Sequence, residues 1–493
     1  MLESLKKEMN KTYTENGGAA YRTTGSYCLD LFASIGALRR QPQDLILGVF
    51  IRAFSEDPDL AMKILFYARD VRGGLGERRV FKVILRWLAM NSQTSVKKNM
   101  EYIAEYGRYD DLLSLMDTPC EKDMLALVKE QLDRDLLAAE KDQAVSLLGK
   151  WLPSVNASNP ATAWAAKKVA RSLGYTDAQY RKVLSLLRAK IKIIENNLRE
   201  REYTFDYSKQ PSRAMFKYRA AFARNDCERY QSFINDVRMG NAKLHADNVM
   251  PYELVDPYLA RAIGGRVIDR LSNDKKDILN ATWESMPDFG GNENILPVID
   301  TSGSMYAYHN PMPASVALSL GLYFAERNKG IFKNHFIEFS RTPQLIELKG
   351  ETFVDRLKFA ASFSEIANTN VQAVFDTILT AAIKNRVSKD ELPSKLVIIS
   401  DMEFDYCMEN ASLPIFEMEK KKYAKCGYEL PQIIFWNVAS RNVQQPVTMN
   451  EQGCALVSGV TPRIFAMIAS GQVSPYKMMM DIIGSKRYER IAA

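Results

Sequence analysis

Long apolar runs are missing from this 493-residue chain. No stretch approaches the roughly 20 apolar residues that a bilayer-spanning helix requires, so no membrane partner is expected. The opening MLESLKKEMNKTYTENGG is too polar to hold the apolar core of a secretory signal. Cysteine is scarce: there are six, and none forms a CxxC pair. That argues against a disulfide framework or a zinc ribbon and for a reducing, cytoplasmic setting. The three histidines (His245, His309, His335) have neither metal-ligand nor triad spacing. A Walker A sequence is lacking, and GGLGER follows a helical stretch instead of a strand, which makes it a poor phosphate loop. Ser302 has no evident base partner, so the chain is expected not to be an enzyme. RNA-recognition, KH and zinc-knuckle signatures are absent as well.

What is present divides the chain in two. Residues 1–285 read almost wholly as helices. DLILGVFIRAF, DLAMKILFYARDV, RRVFKVILRWLAM, DMLALVKEQLDRDLLAA and QYRKVLSLLRAKIKII all repeat apolar residues at helical spacing. The breaks between them carry turn residues, as in SEDPD, RGGLGE and DTPCE. A dozen short helices in series suggest stacked antiparallel pairs, a HEAT-like scaffold. After MPDFGGNEN (Met286–Asn294), short apolar runs alternate with helices: ILPVI, PASVALSLGLYFAERN, HFIEF, PQLIEL, a helix near 371–385, KLVIIS and QIIFWNVA. This alternation predicts a doubly wound, largely parallel sheet over residues 286–493.

In such sheets, sites lie beyond the carboxyl ends of the strands. ILPVIDTSGSM (Ile295–Met305) brings Asp300, Ser302 and Ser304 there, NTN (Asn368–Asn370) brings Thr369, and SDMEFD (Ser400–Asp405) brings Asp401. Two carboxylates and three hydroxyls make an all-oxygen set suited to Mg²⁺ or another hard divalent cation. The plainer alternative is that the hydroxyls cap helices and Asp401 ends a strand.

Charge is unevenly placed. Residues 1–290 hold 45 Lys+Arg against 38 Asp+Glu, and residues 291–493 hold 21 of each. Residues 161–220 alone hold 14 basic and 5 acidic side chains. Taken as one helix over 179–195, Arg181, Arg188 and Lys192 fall within about 40° of one another, with Tyr180, Leu184 and Leu187 to one side of them. Arg213, Lys217 and Arg224 form a second stripe opposite Met215 and Phe222. Lys167, Lys168 and Arg171 add a third. Such stripes bind phosphates without reading sequence; they also describe an ordinary solvated helix face.

DTSGSM, the NTN threonine and the SDMEFD aspartate resemble the metal-ion-dependent adhesion site of a von Willebrand factor A domain. The resemblance implies that Ser302, Ser304 and Thr369 touch the metal, that Asp300 and Asp401 hold it directly or through water, and that a partner's acidic group takes the open position. SDMEFD departs from the pattern by its extra acids, Glu403 and Asp405, which are expected to weaken the metal's pull on an anion. RGGLGERRVF (Arg72–Phe81), GRYDDLLSL (Gly107–Leu115) and GKWLPS (Gly149–Ser154) resemble the helical-repeat (TROVE) module of the Ro autoantigen family. YSKQPSRAMFKYRAAFARND (Tyr207–Asp226) is similar to a large set of mostly uncharacterised relatives of that family. The domain order is the same over nearly the whole chain. The resemblance implies a ring or horseshoe of repeats closed by the A domain, and binding of structured or misfolded noncoding RNA. The competing expectation is a protein-interaction adaptor that captures an acidic partner through the metal, without RNA.

Overall fold

The computed structural model describes residues 1–493 apart from 192, 260, 263–264, 307–309, 340–342, 364–369, 405–414 and 469–473. A helix-rich N-terminal region is followed by a mixed sheet of six strands. Among the described residues no helix is long and apolar enough to cross a membrane.

The chain forms two compact units, one of residues 1–57 and 207–485, the other of residues 58–206 and 486–493. These units do not follow the division at 285/286 that composition suggests. The first 57 residues belong with the sheet, and the last eight belong with the helices.

The sheet of the first unit contains β1 (Ile295–Asp300), β2 (His335–Phe339), β3 (Gln344–Glu347), β4 (Lys395–Ser400), β5 (Gln432–Asn437) and β6 (Cys454–Ser458). Its order is β6-β5-β4-β1-β2-β3. All neighbours are parallel except β3, which runs antiparallel to β2 at the edge. β1, β4, β5 and β6 are buried at every residue, as a parallel sheet covered on both faces demands. One face carries Leu296, Val298, Leu396, Ile398, Ile433 and Phe435 against Val374 and Phe375 of the helix Val371–Asn385. The other face meets the helix Pro313–Arg327, where Phe324 lies 5.5 Å from Trp436 between ring centroids. The approach there is close: a Cβ on Gly321 would stand 2.2 Å from Cδ1 of Ile299.

The N-terminal segment closes the β6 side. Ser26 caps the helix Tyr27–Ser34 by accepting from the Leu29 amide. The Gly36 amide then donates to the Ser458 hydroxyl at 3.0 Å. A Cβ on Gly36 would fall 2.6 Å from the Ser458 carbonyl oxygen, so glycine is what permits the contact.

The second unit is helical, with Pro58–Arg69, Arg79–Asn91, Glu121–Glu140, Pro160–Ser172 and Asp177–Lys190 as its longer members. The segment 486–493 is pinned into it. Tyr488 is buried and stacks on Tyr106 with ring centroids 5.8 Å apart, and Arg487 donates to Asp70 at 2.7 Å.

Candidate functional site

β1 and β4 are adjacent and parallel, with Ile299 paired to Ile399. Asp300 and Asp401 therefore leave neighbouring strands at nearly the same level, at the sheet's carboxyl edge. Asp300 is buried; it accepts from the Ser302 amide at 2.9 Å and from the Ser400 hydroxyl at 2.5 Å. Burial and then the negative charge of Asp401 push its carboxyl up to about 7, against the hydrogen bonds from Ser400 and Ser302. The Ser302 and Ser304 hydroxyls lie 3.0 Å apart. The structure thus brings Asp300, Ser302, Ser304 and Asp401 together. Thr369 and Asp405 lie outside the described residues. Asn370 caps the next helix, accepting from the Ala373 amide at 3.0 Å.

Two neighbours change the chemistry expected of this edge. Arg441, just beyond β5, places Nη2 3.2 Å from one Asp401 oxygen and Nη1 2.7 Å from Glu15. The other Asp401 oxygen accepts from the Glu403 amide at 3.2 Å. Glu403 is not a spare acid. Its buried carboxylate accepts from Gln444 at 2.8 Å, Asn442 at 3.1 Å and the Glu15 amide at 2.9 Å. It ties three loops together, which is a structural task. Arg441 was missed in the sequence; the available signal was an arginine a few residues past a strand end that faces two acids.

The donors fit a small hard cation: all are oxygen, and no Lys or Arg pairs with buried Asp300 among the described residues. No group of three or more His, Cys, Asp or Glu side chains gathers into a metal set among those residues. The fit rests on two carboxylates and the hydroxyls.

The basic stripes do not stay whole in the fold. The helix around residues 179–195 stops at Lys190 and a new one starts at Ile194, so the stripe through Arg181, Arg188 and Lys192 is broken. Lys192 lies outside the described residues. Arg188 turns inward, donating to the carbonyls of Gly149 (2.9 Å) and Leu152 (2.8 Å) and to the Ser154 hydroxyl (2.8 Å). Lys168 pairs with Asp117 and Glu121. Lys167, Arg171 and Arg181 are exposed. In the other unit Arg213 pairs with Glu253, Lys217 bonds the Tyr218 hydroxyl at 2.8 Å, and Arg224 is exposed. Tyr207, at the head of the YSKQPSRAMFKYRAAFARND segment, is core: it is buried against Phe222, Tyr230 and Phe233.

The family model described as Domain of unknown function (DUF2828) matches residues 14–144 and 162–288, more than half of the chain. That described as Domain of unknown function (DUF7788) matches residues 294–481. Uncharacterized protein L728 of Acanthamoeba polyphaga mimivirus is 28% identical over 516 aligned residues, covering 96% of this chain and 87% of that protein. A crystal structure of the Ro (RSR) protein of Deinococcus radiodurans is 14% identical over 93% of each chain, with a TM-score of 0.36.

Proposed function

The chain belongs to the DUF2828 family, and we propose that it is a Ro-like RNA-binding scaffold with a divalent-cation site at the edge of its sheet. One observation carries the RNA reading. Within the most basic segment, Lys167, Arg171 and Arg181 are exposed on one compact unit and make no ion pair among the described residues. Unpaired exposed cations on a compact helical unit are what a phosphate backbone meets most readily. Arg224 is a further exposed cation on the other unit. The sequence resemblance to the Ro family narrows the polyanion to noncoding RNA.

The role is binding without catalysis. Asp300, Ser302, Ser304 and Asp401 would hold Mg²⁺, with Thr369 added by the resemblance. The ion would supply an open position for a partner's carboxylate. The buried Asp300–Asp401 pair is also what favours the second reading, an adaptor for an acidic protein segment without RNA. The free cysteines Cys28, Cys120 and Cys454, all buried, support a reducing compartment such as the cytoplasm.

Filter binding of single-stranded RNA across a salt series tests the proposal. Affinity should fall steeply with salt, and a Lys167→Glu, Arg171→Glu, Arg181→Glu triple variant should lose most of it at low salt. Equal binding by the folded triple variant would refute the reading. Absence of RNA binding by the wild type at low salt would leave the adaptor.

A further inference from the structure

Three sequence motifs to which the reading above assigns no site converge on one place in the helical unit. RGGLGERRVF supplies Arg78, GRYDDLLSL supplies Arg108, Asp110 and Asp111, and GKWLPS supplies Trp151. The anchor is a buried ion pair: Arg69 Nε and Nη2 lie 2.8 and 2.7 Å from one Asp111 oxygen, and the Arg108 amide donates to that oxygen at 3.0 Å. Gly107 allows this approach, since a Cβ there would stand 2.5 Å from the same oxygen. Around the anchor, Arg78 pairs with Asp110, and Lys82 Nζ lies 3.3 Å from the other Asp111 oxygen.

Four cations (Arg69, Arg78, Lys82, Arg108) thus face two carboxylates. The fourth cation is left over. The Arg108 guanidinium lies 4.4 Å above the Trp151 ring, and it makes no hydrogen bond or ion pair among the described residues. Desolvation, then Arg69 and Arg78, hold its pKa below the ordinary value against the opposing pull of Asp110 and Asp111, so the two carboxylates do not fully compensate it. A guanidinium seated on a ring keeps its in-plane N–H donors for a planar, two-pronged acceptor, and Arg108 spends none of them on a partner among the described residues.

We propose that Arg108, laid on Trp151, is an anion receptor that takes a phosphodiester group of single-stranded RNA. The inference rests on the RNA reading and extends it to a surface that charge counting alone does not select. A repeating anion is favoured over a single carboxylate because the same unit also presents Lys167, Arg171 and Arg181, exposed and without ion pairs among the described residues.

The test uses the full chain and a fluorescent oligouridylate, followed by anisotropy across a salt series. Arg108→Gln should weaken binding by about tenfold, and the slope of log K against log salt should shrink by about 0.7, the loss of one phosphate contact. Arg108→Lys should restore the slope, which a purely structural role would not do. Oligouridylate should also change the intrinsic fluorescence in a way that Trp151→Phe removes. Wild-type affinity and slope in folded Arg108→Gln would overturn the site while leaving RNA binding intact. Failure of the wild type to bind oligouridylate at low salt would remove both. A Trp151-dependent response to oligoglutamate and none to oligouridylate would overturn the phosphodiester in favour of an acidic protein. If Arg108→Gln does not fold, inorganic phosphate titrated into the wild type and Trp151→Phe probes the same receptor, and no Trp151-dependent change would overturn it.

Discussion

Asp111→Ala should unbalance the helical unit more than any exposed substitution. Arg69 and Asp111 are 1% and 0% exposed in their side chains and meet through two contacts below 3 Å. Removing the carboxylate leaves a buried guanidinium with no counter-charge of its own, a loss of about 3–5 kcal/mol. The Arg108 amide loses its acceptor too, which adds about 1 kcal/mol and places the expected value at the upper end. Asp110 cannot substitute, because it is engaged by Arg78. The assay is urea denaturation, with the transition of the helical unit followed by tryptophan fluorescence. The double variant Arg69→Met, Asp111→Leu replaces both charges by apolar side chains, and it should recover the part of the loss that comes from the unpaired guanidinium. A single-variant cost under about 1 kcal/mol, or a double variant as unstable as the single, would refute the argument.

Asp300 gives a pH prediction. Its folded carboxyl is raised from 3.8 to about 7, so the protonated form is favoured in the fold. That contribution is full below the unfolded value and is lost as pH rises through about 7. In chelator, the sheet unit should therefore lose up to about 4 kcal/mol between about pH 4 and pH 8, and Asp300→Asn should flatten the profile and abolish Mg²⁺ binding by calorimetry. A flat wild-type profile would contradict this. Arg441→Gln removes the cation beside Asp401 and should tighten Mg²⁺ binding by about tenfold, from roughly 1–2 kcal/mol of relieved repulsion; unchanged or weaker binding would show that the arginine does not compete with the metal. Arg188→Gln should lower the melting temperature through three lost hydrogen bonds while leaving the salt slope of RNA binding unchanged. A reduced slope would instead restore Arg188 to the RNA surface.

The elements themselves were legible because they follow local periodicity. ILPVI and KLVIIS are apolar at nearly every position, as strands covered on both faces must be, and that pattern alone puts Asp300 and Asp401 at one sheet edge. Ser302 and Ser304 followed from the same run. The helical spacing of the first 285 residues likewise gave the correct class. Partner choice across long sequence distances was not legible. Arg181 and Arg188 share a stripe seven residues apart, yet one is exposed and the other is spent on Gly149, Leu152 and Ser154. Helix geometry fixes the direction of a side chain about its own axis, and only packing decides what stands opposite. For the same reason Glu403 looked like a free acid until Glu15, Asn442 and Gln444 closed on it, and Arg441 looked like a loop residue until β5 delivered it to Asp401. Composition drew a line near residue 286, because strands and helices differ in periodicity. The fold drew its own lines elsewhere, since Gly36 can approach Ser458 and Tyr488 can bury against Tyr106 only through contacts made hundreds of residues apart.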